Sequence, residues 1–475
     1  MPRRSIRPTR AATAALAAAA LTAGVLAAAP AADARPVFRP GAAGMGDPYF
    51  PLEGNGGYRV RHYTLDLNYQ PAHHRLGGTA HVYARATQNL SRFDLDLSGM
   101  HVDRVRVNGA RATFSRAGQE LRITPAHGIR RDARFTVSVR YHGSPQTITG
   151  SPIVFGADYG WQYTKDGAFV GDEPNAAHTW FPSNDHPRDK ATFTFRITVP
   201  SDRKVIANGD LISRHTNGTR STFVWNETSP MATYLATIDI GRWKFRSGHT
   251  PGGIPETMAI DPALQSAADR IWADTGRITD YWSKVFGRYP FSSTGAIVDN
   301  VPNVGFSLET QTRPLYGFAA DADTIAHELS HQWFGDSVSV RSWRHIWLNE
   351  GFATFAAWLW DQHEGGPSTY RSARDVYDAI AANSSFWDQS IADPKRDTMF
   401  SSAVYYRGGM TLAALRHRIG SHDFFRLLRT WTAQHRYGTA TTGQFIALAE
   451  KVSGKNLDAF FKTWLWDRTK PASFG

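Results

Sequence analysis

The residues with the clearest capacity for chemistry are His327-Glu328-Leu329-Ser330-His331. Two histidines four positions apart on a helix share a face, with about 6 Å between their Cβ atoms, so both imidazoles can reach one metal ion. Glu328 projects beside them, poorly placed as a third ligand and well placed to take a proton from an attacking water. A catalytic zinc site needs a third protein ligand and one open position. Glu350 stands 19 residues after His331, within Trp347-Leu348-Asn349-Glu350-Gly351-Phe352-Ala353. Two histidines and one glutamate form the thermolysin-type ligand set, so His327, His331 and Glu350 are the expected ligands of one Zn2+. The 475 residues contain no cysteine. That excludes thiol catalysis, disulfide scaffolds, iron–sulfur clusters and cysteine zinc fingers.

Elements that present these groups can be read around them. Asp321 and Asp323 are candidate caps for a helix whose buried face is Ile325, Leu329 and Trp333. Phe352, Phe355, Ala356, Trp358 and Leu359 mark a second buried helix that carries Glu350. Upstream the period is two: Tyr63, Leu65, Leu67 and Tyr69 alternate with polar residues. So do Phe93, Leu95 and Leu97, then Phe135, Val137, Val139 and Tyr141, then Phe193, Phe195, Ile197 and Val199. Asn108-Gly109 and Asn208-Gly209 lie between such runs, where a type I′ hairpin needs positive φ. Residues 58–248 therefore read as an antiparallel β-domain. Thr250-Pro251-Gly252-Gly253 ends it, and Leu264, Ala267, Ala268, Ile271, Ile278, Tyr281, Trp282 and Val285 open a helix-rich domain over 249–475. Thr441 and Gln444 form a capping-box signal before Phe445. The fold class is α+β, multidomain.

Charge adds little once the N-terminus is understood. Arg3, Arg4, Arg7 and Arg10 precede the uncharged, Ala-dominated run Ala11–Ala29, then Pro30 and Ala32-Asp33-Ala34. This is the pattern of a secretory signal peptide over residues 1–34, cleaved near Ala34 to release a secreted protein; an uncleaved anchor is the alternative. Residues 35–57, rich in Pro and Gly, read as an export linker. Losing the leader removes four arginines and one aspartate, taking the net charge from +11 to +8. The remaining excess is dispersed, so neither a nucleic-acid partner nor a stable membrane partner is expected. At 41% hydrophobic and 20% charged residues the chain is globular.

The chain resembles the zinc aminopeptidases related to aminopeptidase N and the leukotriene hydrolase, a gluzincin family. His327–Asp336 reads H-E-L-S-H-Q-W-F-G-D and Trp347–Ala353 reads W-L-N-E-G-F-A, both close to the family pattern. Phe286–Phe291 and Trp180–Pro187 are further family-like segments. The resemblance implies an N-terminal saddle-shaped β-domain followed by a thermolysin-like catalytic domain. It also implies that Glu309, in Gly305-Phe306-Ser307-Leu308-Glu309 where the family has G-A-M-E-N, binds the substrate's N-terminal ammonium. Counting nine residues back from Pro182 gives Glu173 as a second amine-binding group, with Asp172 adjacent. Tyr405 of Tyr405-Tyr406-Arg407-Gly408 matches the family's Y-x-K-G tyrosine, the donor to the developing oxyanion, with Tyr406 adjacent and Arg407 replacing lysine. His345 stands where aspartate is usual. Many relatives continue into a helical C-terminal domain; this chain stops soon after Phe460–Leu465, which implies no cap domain and a more open cleft. The expected partners are peptides with a free N-terminus, and a monomer is expected. An endopeptidase with the same zinc site, an epoxide hydrolase like the leukotriene enzyme, and a non-catalytic binding relative are the competing readings.

Overall fold

The structure is a computed structural model that describes residues 36–154, 156–301 and 303–474. The leader expected over residues 1–34 lies outside them. Among the described residues no helix is long and apolar enough to cross a membrane.

The alternating runs are strands whose apolar positions face a common core. An eight-stranded sheet runs in the order Asp210–Asn217, Arg220–Met231, Ala191–Pro200, Tyr58–Gln70, Arg75–Ala86, Arg134–Gly143, His101–Val107 and Ala110–Arg111. Its neighbours are antiparallel except Ala191–Pro200 beside Tyr58–Gln70. A five-stranded sheet (Thr147–Ile148, Tyr159–Tyr163, Ala168–Gly171, Ile238–Gly241, Lys204–Ala207) and a four-stranded one complete the β-half. Asn108 and Gly109 both have positive φ, as a type I′ hairpin requires. Asn208-Gly209 differs, because its flanking strands belong to different sheets. Asn208 is a buried cross-link: Nδ2 donates to the carbonyls of Leu235 and Gln311, and Oδ1 accepts from the Thr237 N–H.

Two expectations need correction. The Pro/Gly-rich segment 35–57 is no free linker from residue 38 onward. Arg39–Pro40 pairs with Leu90–Asp96, and Asp47, Glu53 and Asn55 are buried. Its glycines make tight turns (Gly54 φ +61°, Gly57 φ +91°) instead of slack. The change of architecture also comes before residue 249. Lys244–His249 is already the edge of a second five-stranded sheet, followed by Pro255–Ile260, Thr294–Val298, Leu315–Tyr316 and Ser307–Leu308. The parallel pairs in this sheet are buried on both faces and show no alternation, so periodicity could not reveal it.

Helices α1 (Ala268–Val285) and α2 (Ala322–Ser330) pack on that sheet; α3 (Trp347–His363), α4 (Thr369–Ala379), α5 (Ser402–Ile419), α6 (Ser421–Gln434) and α7 (Thr442–Ser453) stack outward from α2 on one another, the last opened by the Thr441–Gln444 capping box. Helices α3 and α5 meet at glycine on both sides. A Cβ on Gly408 would stand 2.6 Å from the Gly351 Cα, and one on Gly351 would stand 2.8 Å from the Gly408 Cα. This backbone contact brings the residues before it, Glu350 and Tyr405, toward each other.

Candidate active site

Helix α2 starts where the Asp321 carboxylate accepts the Thr324 N–H. It carries His327 and Glu328 and ends at His331, with 5.0 Å between the two imidazole centroids. His331 Nδ1 lies 3.0 Å from the Phe334 carbonyl oxygen; donating there fixes the tautomer and leaves Nε2 free as a ligand. Glu350, in the first turn of α3, places Oε2 3.4 Å from His327 Nε2 and 3.6 Å from His331 Nε2. One donor atom from each of the three lies within 4.8 Å of the others. The structure thus brings together the three residues that sequence spacing marked as ligands.

The other sequence-selected groups converge on the same place. Glu309, Glu328 and His331 form one cluster of donor atoms, and Glu173, Glu309 and Glu350 another. Glu309 is buried, and its main-chain oxygen accepts from Gln332 Nε2 at 3.1 Å. Asp172 turns into the β-domain, where its carboxylate accepts the Trp180 indole N–H at 2.7 Å. Glu173 is therefore the one that faces the site. Tyr405 stacks on His327 at 6.1 Å between centroids, whereas Tyr406 is 44% exposed on the cleft wall. Arg407, in the lysine position, is fully buried and donates to the carbonyls of Gln389, Thr463 and Asp467. It holds α5 to the C-terminal segment. His345 pairs with the Thr442 hydroxyl at 3.0 Å, and burial pushes its pKa down to about 4.

Electrostatics single the site out. Burial pushes the carboxyls of Glu173, Glu309 and Glu328 above the usual range, and neighbouring carboxylates add to the shift in each. Burial acts on Glu350 in the same direction, but the charges and hydrogen bonds of His331 and His327 outweigh it and hold the group low. Such an excess of buried negative charge calls for cations.

Three positioning residues were given no role by the sequence, although Gln332 lies within the His327–Asp336 motif. The Tyr234 hydroxyl donates to Glu309 Oε1 at 3.4 Å, from a 3-10 turn of the β-domain. Gln332 ties the Glu309 segment to the end of α2, and Lys190 Nζ donates to the carbonyls of Asp336 and Ser337 just beyond it. Each belongs to a local pattern compatible with ordinary packing, and only the tertiary structure reveals the partner.

Comparison with known proteins agrees with this picture. The Peptidase M1 N-terminal domain matches residues 60–235, and the Peptidase family M1 domain matches residues 309–464. The chain belongs to peptidase family M1. An M1 zinc metallopeptidase from Deinococcus radiodurans is similar over 91% of this chain and 99% of its own, at 27% identity and a TM-score of 0.84. A mutant of that enzyme bound to a Tyr-Ser-Ala substrate is similar at 26% identity, a TM-score of 0.83, and the same coverage of both chains. Aminopeptidase M1 of Arabidopsis thaliana is 25% identical over 345 residues, 65% of this chain and 37% of that protein. This chain spans less than half the length of the curated relatives it matches. It has the two-domain M1 architecture, a β-domain followed by a helical catalytic domain. Zinc is the metal that suits its site: two imidazoles and a carboxylate converge amid uncompensated negative charge, and no softer ligand is present.

Proposed function

We propose that this M1 chain is an aminopeptidase that removes the first residue of peptides with a free N-terminus. The observation that carries the reading is the pair Glu173 and Glu309, from different halves of the molecule, meeting within 4.8 Å beside Glu350. Two buried, mutually repelling carboxylates at the end of a cleft suit an ammonium group, which forms charge-assisted hydrogen bonds to both. Binding the amine there places the first peptide bond over the metal ligands and fixes the cut after one residue.

His327, His331 and Glu350 would hold the zinc, which supplies Lewis-acid polarisation of water and of the scissile carbonyl. Glu328 accepts the water's proton on a carboxylate oxygen; its buried setting raises its basicity. The same carboxyl then delivers the proton to the leaving amine. The Tyr405 hydroxyl donates to the carbonyl oxygen as negative charge develops on it. Phe306, Leu308, Phe400 and Tyr159 line the cavity of about 620 Å³ into which Glu173 faces. That lining favours a large apolar first side chain, consistent with the Tyr-Ser-Ala ligand of the Deinococcus enzyme.

The test compares one peptide with a free and an acetylated N-terminus. Only the free form should be cut, releasing one amino acid, and chelation should abolish the reaction. Equal cleavage of both forms would establish an endopeptidase instead, since burying an unpaired Glu309 against a blocked amine costs about 3–5 kcal/mol, at least two orders of magnitude in rate. Export with removal of residues 1–34 is proposed from the leader pattern, and N-terminal sequencing of the mature protein reads it directly.

A further inference from the structure

The cleft continues as two cavities that share Gly305, Phe306, Ser307, Tyr405 and Tyr406 as their common wall. The first holds Glu173 and so receives the substrate's N-terminal residue. The second, about 670 Å³, is lined by His327 and Glu328. Since the chain enters with its amine at Glu173 and passes Glu328 at the scissile bond, whatever follows that bond must lie in the second cavity.

Two carboxylates face this second cavity, Asp323 and Asp361. Asp323 lies one turn before His327 on α2, about 6 Å along the axis. On α3 the face that carries Glu350 continues through Thr354 and Trp358 to Asp361, with Thr354 and Trp358 in the same wall. Neither Asp323 nor Asp361 has a hydrogen-bonded or ion-paired side chain among the described residues, although 53 Lys and Arg are available. Burial and the neighbouring charges of Asp321 and Asp361 push Asp323 upward, as expected of a carboxylate with no cation beside it. Glu328, only 7% exposed and with no hydrogen-bond partner among the described residues, lines the same space, which marks it as a place built for a ligand.

We propose that this cavity binds the side chain of the substrate's second residue, and that Asp323 and Asp361 select lysine or arginine there. The inference rests on the aminopeptidase reading. Lysine and arginine are the side chains whose length and chemistry match the wall. Their aliphatic stems pack on Phe306 and Trp358, and their charged ends reach the turn of α2 that presents Asp323. Asp361 adds its field from the neighbouring helix, and the Trp358 indole is part of the same wall. An acidic second residue meets three carboxylates and is rejected.

The test is release of free phenylalanine from three peptides that differ only at the second position, Phe-Lys-Ala, Phe-Leu-Ala and Phe-Glu-Ala. The lysine peptide should exceed the leucine peptide in kcat/KM by about fivefold and the glutamate peptide by more, an advantage that shrinks in about 0.5 M salt. The ratio of lysine to leucine should fall toward one in Asp361→Asn and in Asp323→Asn, and Asp323→Lys should favour glutamate. Because ratios are read, a general loss of activity cancels. If Asp323→Asn destabilises the first turn of α2, the Asp361 variant carries the test alone. Equal kcat/KM for the three peptides overturns the inference while leaving the aminopeptidase reading intact. No phenylalanine from any of them overturns both.

Discussion

Replacing Gly408 with alanine tests whether the α3–α5 contact sets the catalytic geometry. The added Cβ would stand 2.6 Å from the Gly351 Cα, about 0.8 Å inside the 3.4 Å at which ordinary contact begins. The atoms it meets belong to the backbone of the facing helix, so no side chain can swing away. The helices must part by nearly an ångström. Overpacking of this kind costs about 1–3 kcal/mol, but alanine is better than glycine in a helix interior by about 1 kcal/mol, so the net loss of stability is small. The loss of activity is not. Glu350 precedes Gly351 directly and Tyr405 lies one turn before Gly408, so the separation falls between a proposed metal ligand and the proposed oxyanion donor. A misplacement near 1 Å can cost about 100-fold in rate. Gly408→Ala should therefore lower kcat/KM by one to two orders of magnitude with zinc still bound and Tm shifted by a few degrees. Gly351→Ala should behave alike. Wild-type kcat/KM in both variants would refute the reasoning.

Three further outcomes are expected. Tyr405→Phe should lower kcat by about 10²–10³-fold without changing zinc content, as loss of one preorganised donor does, measured by steady-state kinetics and metal analysis. Lys190→Met should weaken zinc retention by about 10–100-fold under chelator competition, because Lys190 holds the Asp336–Ser337 turn next to the Phe334 carbonyl that orients His331. Asp47 is buried, which alone would raise its pKa, yet hydrogen bonds from His186, the Tyr49 N–H and Ser342 hold it down to about 2. A depressed carboxyl stabilises the fold above its unfolded pKa and loses that contribution as pH falls through the folded one. Asp47→Asn should cost about 2 kcal/mol at pH 7 in denaturant unfolding, with the gap roughly halved by pH 3.

Legibility in the sequence followed the range of the interaction. The convergence of His327, His331 and Glu350, the expected zinc ligands, was readable because a helix sets the spacing of the two histidines and because Glu350 sits in a helix that is buried by composition. The strands with one solvated face were readable as well: Tyr63 to Tyr69 and Phe193 to Val199 alternate because one side meets water. The catalytic sheet was not, since Thr294–Val298 is covered on both faces and Ser307–Leu308 is only two residues long. Residues 38–57 misled for a different reason. Glycine and proline mark turns, and a chain of turns can be slack or locked. Tertiary contacts such as Asp47 accepting from the Trp343 N–H, 296 residues away, show that it is locked. Glu309, Glu173 and Tyr405 were reached through family resemblance, not through physics that a single sequence displays.

The proposed amine clamp would explain why so many polar groups are spent between the two halves. Glu173 comes from the β-half and Glu309 from the catalytic half, and their charges repel. Left alone, such a pair would drift apart or take up a proton, and either response would blunt its preference for an ammonium group. Buried hydrogen bonds resist the first response: Asn208 to the Gln311 carbonyl, the Gly209 N–H to Thr312, and the Tyr234 hydroxyl to Glu309 itself. Asp47 and Lys190 fasten the same boundary at its other side. Zinc and substrate resist the second, since each adds positive charge where the carboxylates concentrate it. On the proposed reading, specificity for a free N-terminus depends on how firmly the β-half is held to the catalytic half, and substitutions at that boundary should change KM for the amine before they change the chemistry of the cut.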